Sequence, residues 1–424
     1  MKENKIIEKM SNSKLSYEEI SYMVNGYVNG SINDKTMTKF IMNIYNNGFS
    51  KEEIFYLTDI MVKSGEVVDL SKIEKPLVDK HSTGGIGDKI SIIIAPIVAS
   101  LGVVVPKMSG RGLGLTGGTV DKLESIKNYK LDLTREEFID ALNKVGCAVI
   151  SQSENLAIAD KKIYALRNEI KAVDSIPLIA SSIMSKKIAS GADNIVIDLK
   201  VGLGAFMKNK KSATKLAKTM IDIANYYDKK LVCVLSDMNC PLGEYVGNKL
   251  EIIEAINFFD GKYEKRLYNL VIYLATTMVM IATNKPFKSC KLLVKETIKN
   301  GNAKKKFYEW ISYQKGEIEK LKIDAKKYIV LSDEEGYINN IDANIIGKLV
   351  FDLGAGRKKK TDKIDYNVGV YINKTLGNKI KKNEILGIIY YNKEIENMQE
   401  IFKSAFKINK NKKRVHNIII KTIK

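Results

Sequence analysis

Two glycine-rich loops constrain the fold of this chain more than any other feature of its sequence. The first loop, residues 81–87, follows a predicted strand at 77–80, and the second, residues 109–118, follows a predicted strand at 103–107. A helical pattern comes directly after each loop, so the two segments are successive β-loop-α units. Such units are typical of the α/β fold class, in which ligand-binding loops meet at the carboxyl edge of the sheet.

The first loop has the composition of an anion-binding site. Its glycines allow backbone N–H groups to approach a ligand, and the start of the following helix adds the positive end of the helix dipole. Lys80 adds a positive charge, and Ser82, Thr83 and Ser91 add hydroxyl donors. The first loop reads as neither a Walker A nor a GxGxxG sequence. Together the two loops predict a site for inorganic phosphate or a phosphoryl group.

A histidine and a lysine-serine pair are further candidates for chemistry. His81 lies inside the first loop, whereas the only other histidine, His416, lies in the basic tail. An isolated histidine is more often structural than catalytic, but a place in an anion-binding loop favours a role in proton transfer. Ser182 and Lys186 are four residues apart and share one face of a predicted helix. That pair also fits an ordinary amphipathic helix.

Composition excludes several classes of protein. Hydrophobic residues make up 45% and charged residues 28% of the 424, which excludes a disordered chain. The net charge of +20 invites a nucleic-acid partner, but the lysines are spread along the chain and the basic runs lack interleaved aromatics, so we expect none. With no CxxC pair, a polar N-terminus and no apolar run of roughly 20 residues, we expect a reduced, cytoplasmic protein without membrane association.

The two ends of the chain differ from its middle in predicted secondary structure. Residues 1–66 predict only helices, with Ser-x-x-Glu capping boxes at Ser16 and Ser50. Their apolar faces exceed what a small helical layer buries by itself, so we expect part of them to meet a partner subunit. After residue 328 the pattern turns β-rich, with strands predicted at 337–341, 368–372 and 385–391.

The second loop carries a resemblance to a known family. Residues 109–124, SGRGLGLTGGTVDKLE, resemble the signature of the thymidine and pyrimidine-nucleoside phosphorylases, and residues 80–88 are similar to the first loop of that family. The resemblance runs through almost the whole chain in family order and includes residues 164–167, 174–187, 198–207, 236–243 and 356–366.

The resemblance implies an α/β fold with a small all-α domain that faces a large α/β domain across a cleft. The all-α domain would comprise residues 1–66 and 159–190, and the α/β phosphate-binding domain residues 67–158 and 191–330. Residues 331–424 would form a C-terminal α+β subdomain beside the large lobe. It also implies a homodimer, which we expect to form through the N-terminal helices.

The implied reaction converts a pyrimidine nucleoside and phosphate into free base and a pentose 1-phosphate. The residues implied to bind phosphate are Lys80, Ser82, Ser91, Ser109 and Thr119. Those implied to bind the nucleoside are Arg167, Ser182 and Lys186, with Leu113, Ile179 and Phe206 as apolar walls. Of these side chains, Arg167 and Lys186 would stabilise the departing base anion, and His81 would donate a proton or a hydrogen bond to the pyrimidine O2.

Three departures from the family pattern stand out. Leu115 replaces the usual histidine, which removes a polar contact from the cleft. Asn168 replaces the usual aspartate after Arg167, and we expect this change to loosen the orientation of that arginine. Lys89 stands where some bacterial members have threonine and bind a monovalent cation. Because its ammonium can replace the ion, we expect no cofactor besides phosphate as co-substrate, no metal site, and no required monovalent cation.

Lys107 bears on the range of substrates. Broad pyrimidine-nucleoside phosphorylases resemble this chain in reading Lys-Met-Ser before the second loop, whereas members restricted to deoxyribose have methionine at the lysine position. With Lys107 at the end of its strand, we expect its ammonium to reach the ribose 2′-hydroxyl, so that uridine, thymidine and deoxyuridine are all substrates. A surface lysine, and hence an enzyme restricted to 2′-deoxynucleosides, is the alternative.

Three other functions compete with phosphorolysis. A phosphoribosyltransferase of related architecture would need Mg²⁺, but no acidic metal site is evident beside the two loops. A nucleic-acid-binding protein would not need converging glycine-rich loops. A catalytically inactive homologue is disfavoured by the intact set of chemical residues, Lys80, His81, Ser109, Arg167, Ser182 and Lys186.

Overall fold

The computed structural model describes residues 2–112, 114–115, 117–153, 155–359 and 361–424. The chain opens with the helices α1 (Lys2–Lys9), α2 (Tyr17–Asn29), α3 (Asp34–Asn47) and α4 (Lys51–Lys63). The next elements are β1 (Asp79–Ser82), α5 (Ile90–Ala99), β2 (Val105–Ser109), α6 (Thr119–Glu124), α7 (Arg135–Lys144), β3 (Cys147–Ser151), α8 (Ile158–Glu169) and α9 (Ile176–Ala189).

The second half continues the α/β alternation and then changes to mixed structure. It contains β4 (Asn194–Val201), α10 (Lys210–Tyr226), β5 (Lys230–Asp237), β6 (Tyr245–Val246), α11 (Asn248–Phe259), α12 (Lys265–Thr283), α13 (Phe287–Lys299) and α14 (Asn302–Tyr313). After a 3-10 helix, Ile318–Lys320, come β7 (Lys326–Leu331), β8 (Gly336–Ile341), α15 (Ala343–Val350), a π-helix (Phe351–Ala355), β9 (Gly369–Ile372), β10 (Lys379–Ile380), β11 (Ile385–Tyr391), α16 (Met398–Ser404), β12 (Phe406–Asn409) and β13 (Ile419–Ile423).

The N-terminal helices form a domain with its own core. Both predicted capping boxes are present, and they start α2 at Ser16 and α4 at Ser50. The apolar residues of α2 and α3, such as Met23 and Phe40, are fully buried and pack with side chains of α4, α8 and α9. These apolar faces are therefore covered within the domain, which leaves outward residues such as Tyr22 and Tyr45 exposed, and a partner subunit at these helices stays a prediction.

The large domain is built on parallel strands. The main sheet has the order β1-β4-β5-β13, in which β1, β4 and β5 are parallel, while β2 and β3 form a second parallel pair. A parallel bridge between Leu77 and Val104 joins β1 to β2, so the two glycine-rich loops follow neighbouring strands. The α/β fold class is confirmed. Both strands begin and end two residues later than the predicted 77–80 and 103–107.

The core of the large domain is closed by two apolar helices. Every residue of α5 is buried, and α12 packs against it and against α13. By length and composition α12 could cross a membrane, but 67% of its most apolar window is buried inside the protein, as in the core helix of a globular domain. The helices α5 and α12 pack against strands of the large domain, and α5 begins directly after the first glycine-rich loop.

The C-terminal subdomain differs from the predicted 331–424 at both ends. Its two antiparallel sheets have the strand orders β6-β9-β11-β7 and β10-β8-β12. The subdomain therefore begins with β7 at Lys326, and its first sheet also includes β6, which comes from the middle of the chain. At the other end, β13 leaves the subdomain and pairs antiparallel with β5 in the main sheet. The subdomain is thus tied to the large domain by two strands that cross between them.

Candidate functional site

The first glycine-rich loop arranges a lysine and two hydroxyls at the end of β1. Lys80 is buried, and its Nζ donates to Ser91 Oγ at 3.2 Å, across the start of α5. Ser82 Oγ donates to the carboxylate of Asp88 and accepts from the backbone N–H of Gly84 at 3.2 Å. The structure therefore brings together three of the predicted phosphate ligands, Lys80, Ser82 and Ser91.

A buried network of charges lies beneath this loop. Asp198 and Lys200, on β4, are joined at 2.6 Å, and Asp198 also lies 3.7 Å from the Nζ of Lys80. Burial alone would raise the pKa of Asp88, but Lys200, Lys80 and Lys122 outweigh it and hold that pKa well below its usual value. Lys122 is itself paired with Glu251 at 2.8 Å, so three lysines and three carboxylates make up the network beneath the loop.

Three further side chains belong to this network without having been predicted from the sequence: Asp198, Lys200 and Lys122. Each is fully or almost fully buried. A signal was present, because Asp198 and Lys200 interrupt an otherwise apolar strand, and a buried charge in a strand requires a partner.

The second loop joins the first through α6. Ser109 is the last residue of β2 and Thr119 is the first residue of α6, so both predicted phosphate ligands border this loop. Lys122 Nζ donates to the carbonyl of Asp88 at 2.7 Å, which connects α6 directly to the first loop. The two loops therefore converge as predicted. Leu113 lies outside the described residues.

A narrow cavity lies between the two loops and the C-terminal subdomain. Leu115, 38% exposed, faces it, where the family pattern has a histidine. The cavity is also lined by Gly85, Gly87, Gly117, Asn248, Glu251, Phe351 and Gly356. The apolar Leu115 therefore borders the space between the two glycine-rich loops.

The guanidinium of Arg167 is held by main-chain carbonyls. Its Nε, Nη1 and Nη2 donate to the carbonyls of Ala172 (3.2 Å), Leu178 (3.2 Å) and Val173 (2.8 Å). Asn168 is exposed and takes no part in these contacts. The segment between α8 and α9 and the first turn of α9 thus hold the arginine, and the expectation that Asn168 loosens it stays a prediction.

Ser182 and Lys186 form a polar pair on α9. Lys186 Nζ donates to Ser182 Oγ at 2.8 Å and to the carboxylate of Asp160, on α8. Lys186 keeps 21% of its side chain exposed, whereas Ser182 and Asp160 are buried. The Lys186 ammonium is thus held by two hydrogen bonds, while part of the side chain remains exposed to solvent.

The predicted apolar walls lie on different domains. Ile179 is on α9 and only 8% exposed, so it belongs largely to the core between the helical and α/β domains. Phe206 follows β4 in the large domain and is 39% exposed. Of these two side chains, only Phe206 is accessible to a ligand.

His81 lies within electrostatic range of both sets of side chains. Burial and the charges of Lys187, Lys107, Lys186 and Lys80 lower the pKa of His81 well below its usual value. Lys187, next to Lys186 on α9, pairs with Asp79 of β1 at 2.6 Å, so α9 meets the strand that carries Lys80 and His81. At neutral pH the imidazole is uncharged and can donate one N–H hydrogen bond.

Lys107 is placed differently from the prediction. Because β2 extends to Ser109, Lys107 lies inside the strand rather than at its end, and only 4% of it is exposed. Its Nζ donates to the carbonyl of Met108 at 2.9 Å. Burial and the charge of Lys187 lower the pKa of Lys107 to about 7. It remains close enough to His81 for its charge to act on the imidazole.

Lys89 fills a cage of oxygen atoms. Its Nζ donates to the carbonyls of Leu242 and Tyr245, both at 2.8 Å, and to the carboxylate of Glu254. The side chain is completely buried. Two carbonyls and a carboxylate are hard oxygen donors of the kind that bind cations, and here they surround an ammonium.

Comparison with known proteins follows these three structural parts. Residues 4–65 match the family model "Glycosyl transferase family, helical bundle domain", residues 74–304 match "Glycosyl transferase family, a/b domain", and residues 337–409 match "Pyrimidine nucleoside phosphorylase C-terminal domain". Among solved structures, anthranilate phosphoribosyltransferase from Thermus thermophilus shares the fold with a TM-score of 0.59 at 16% identity, covering 73% of this chain and 99% of its own.

Curated relatives match over nearly the full length. The chain is 45% identical over 408 residues to a pyrimidine-nucleoside phosphorylase of Bacillus subtilis, covering 95% of this chain and 94% of the relative. It is 44% identical over 396 residues to a pyrimidine-nucleoside phosphorylase of Geobacillus stearothermophilus, covering 92% of each. With a helical bundle, an α/β domain and the C-terminal domain all matched in order, the chain belongs to the pyrimidine-nucleoside phosphorylase family of glycosyl transferases.

Proposed function

We propose that this protein catalyses the reversible phosphorolysis of pyrimidine nucleosides to free base and pentose 1-phosphate. The observation that carries the proposal is the ion pair of Lys187 with Asp79 at 2.6 Å, which ties α9, the helix of Lys186, to β1, the strand of Lys80 and His81. The near full-length similarity to pyrimidine-nucleoside phosphorylases supports the same activity.

Phosphate is bound by the two glycine-rich loops in this proposal. Lys80 supplies the charge, and the hydroxyls of Ser82, Ser91, Ser109 and Thr119 supply hydrogen bonds. Because Lys80 is buried and already bonded to Ser91, it is held in place before phosphate arrives. A phosphate oxygen then attacks the sugar C1′ and stabilises the positive charge that develops on the sugar.

The base departs toward the helical domain. The electron pair of the C1′–N1 bond leaves with the base, which takes up the proton that the attacking phosphate gives up. Arg167 and Lys186 stabilise the negative charge on the pyrimidine, Ser182 hydrogen-bonds it, and neutral His81 donates its N–H to O2. Because phosphate and base lie on different domains, closure of the cleft is needed for the reaction.

Uridine, thymidine and deoxyuridine are all substrates in this proposal, and restriction to 2′-deoxynucleosides is the alternative. Lys107 distinguishes the two. Although buried, it lies near His81, and its ammonium would hydrogen-bond the 2′-hydroxyl of ribose.

The enzyme uses no resident metal or cofactor in this proposal. The oxygen cage around Lys89 supports that part, since its three donors are already engaged by an ammonium. We further propose a cytoplasmic homodimer joined through the N-terminal helices, on the strength of the family resemblance.

The direct test is base release by the purified protein with uridine, thymidine and deoxyuridine, each with and without phosphate. Phosphate-dependent release from all three is expected. Lys80→Met should chiefly raise the KM for phosphate, and Arg167→Gln should chiefly impair kcat and the KM for nucleoside. Equal release without phosphate would overturn the proposal and indicate a hydrolase.

A further inference from the structure

A buried ion pair connects the second glycine-rich loop to the C-terminal subdomain. Arg357 follows the π-helix and is 8% exposed, and its Nη1 lies 2.5 Å from Asp121 Oδ1. The other oxygen of Asp121 accepts hydrogen bonds from the backbone N–H groups of Gly112 (2.6 Å) and Gly118 (3.0 Å). A single buried carboxylate therefore ties both sides of the loop to Arg357.

A second set of contacts strengthens this connection. The carboxylate of Glu124 is paired with Arg111 of the loop and accepts a hydrogen bond from Tyr366 of the subdomain at 2.7 Å. The backbone N–H of Gly114 donates to the carbonyl of Arg357 at 3.1 Å. The loop is thus held by main-chain and side-chain contacts from one short segment, residues 356–366.

Contacts within its own segment also hold the side chain of Arg357 in place. Its Nε donates to the carbonyl of Asp362 at 3.2 Å, and the carboxylate of Asp362 accepts from the backbone N–H groups of Lys358 (3.0 Å) and Lys359 (2.8 Å). The tight turn 357–362 therefore presents the guanidinium to Asp121 in one orientation, which a flexible lysine would not do.

We propose that Arg357 is a positioning residue for phosphate, acting through Asp121 on the loop that carries Ser109 and Thr119. This inference rests on the proposed function. Asp121 lies two residues after Thr119, and Gly112 lies three residues after Ser109, so the ion pair fixes both ends of the loop. Without it, phosphate binding would have to order the loop, and affinity for phosphate would fall.

The kinetic test compares Arg357→Gln and Arg357→Lys with the wild type. Loss of a buried hydrogen bond to a charged group corresponds to about tenfold or more in affinity, so Arg357→Gln should raise the KM for phosphate by about tenfold while the KM for nucleoside changes little. Arg357→Lys keeps the charge but loses the fork, and it should also raise the KM for phosphate. Lys359→Gln, which removes the same charge from an exposed side chain two residues away, is the matched control.

Hydrogen exchange provides a readout that does not depend on turnover. The amides of Gly112, Gly114 and Gly118, which bond to Asp121 or to Arg357, should exchange faster in Arg357→Gln than in the wild type, and at the wild-type rate in Lys359→Gln. Unchanged exchange, or an equal rise of both KM values, would overturn the positioning role. If the wild type releases no base with phosphate, the proposed function fails, while the exchange experiment still decides whether Arg357 orders the loop.

Discussion

At the scale of single residues, Lys107 is the side chain that the proposed function pairs with the ribose 2′-hydroxyl. Its pKa of about 7 means that it is an ammonium below neutral pH and an amine above it. Because a charged donor binds a hydroxyl more strongly, the ratio of kcat/KM for uridine to that for deoxyuridine should fall as the pH rises through 7. Steady-state kinetics between pH 6 and 8.5 measure this ratio.

Lys107→Met is the control for that experiment. It should lower the ratio by about tenfold or more at pH 6, the size expected for one charge-assisted hydrogen bond, and remove its pH dependence. A wild-type ratio that is flat with pH and insensitive to Lys107→Met would show that the lysine does not contact ribose, and negligible uridine turnover would favour the deoxynucleoside-restricted alternative.

Some candidate site residues could be predicted from the sequence and others could not, for physical reasons. Lys80 and Ser82 could be predicted because polar side chains between an apolar strand and a helix have few structural uses. Asp198 and Lys200 could not, because their partners come from other strands and only the fold brings them together. A two-residue error in the end of β2 was enough to misplace Lys107.

At the scale of elements, Lys89 joins the start of α5 to the segment between β5 and α11. Lys89→Thr would empty the oxygen cage made by Leu242, Tyr245 and Glu254. We expect this variant to lose activity and to regain it with KCl, because K⁺ can occupy three hard oxygen donors, whereas the wild type should be insensitive to K⁺.

Assays in choline chloride of equal ionic strength separate K⁺ binding from salt effects. A wild type that requires K⁺, or a Lys89→Thr variant that is active in choline chloride and indifferent to K⁺, would contradict the role given to the ammonium.

Local patterns were sufficient for elements whose partners are near in sequence. The capping boxes at Ser16 and Ser50, the two β-loop-α units and the strands β8, β9 and β11 were predicted within two residues. The strand β13 was not, because its pairing with β5 spans about 180 residues and leaves no local signature. For the same reason, the sequence did not show that β6 belongs to the C-terminal sheet.

At the scale of the whole molecule, the proposed homodimer can be tested on the outer surface of the helical domain. Its inner apolar faces are buried, so a dimer must use outward residues such as Tyr22 and Tyr45, which are 37% and 38% exposed. Sedimentation at micromolar concentration should give twice the 47.6 kDa of one chain.

Replacing both tyrosines with glutamate should shift the protein toward the monomer, because charges buried at an interface without partners are costly. Tyr308→Glu, a change at an equally exposed tyrosine on α14, should leave the assembly unchanged. A wild type that sediments as a monomer, or a dimer unaffected by the double substitution, would contradict an interface through these helices.

The measurement that tests the account most directly is the fate of phosphate itself. With uridine and inorganic phosphate, ³¹P NMR should show ribose 1-phosphate appearing in equal amount to the uracil released, because a phosphate oxygen replaces the base at C1′. Uracil accompanied by free ribose, with the inorganic phosphate signal unchanged, would contradict the account, since the glycine-rich loops would then hold phosphate without delivering it to the sugar.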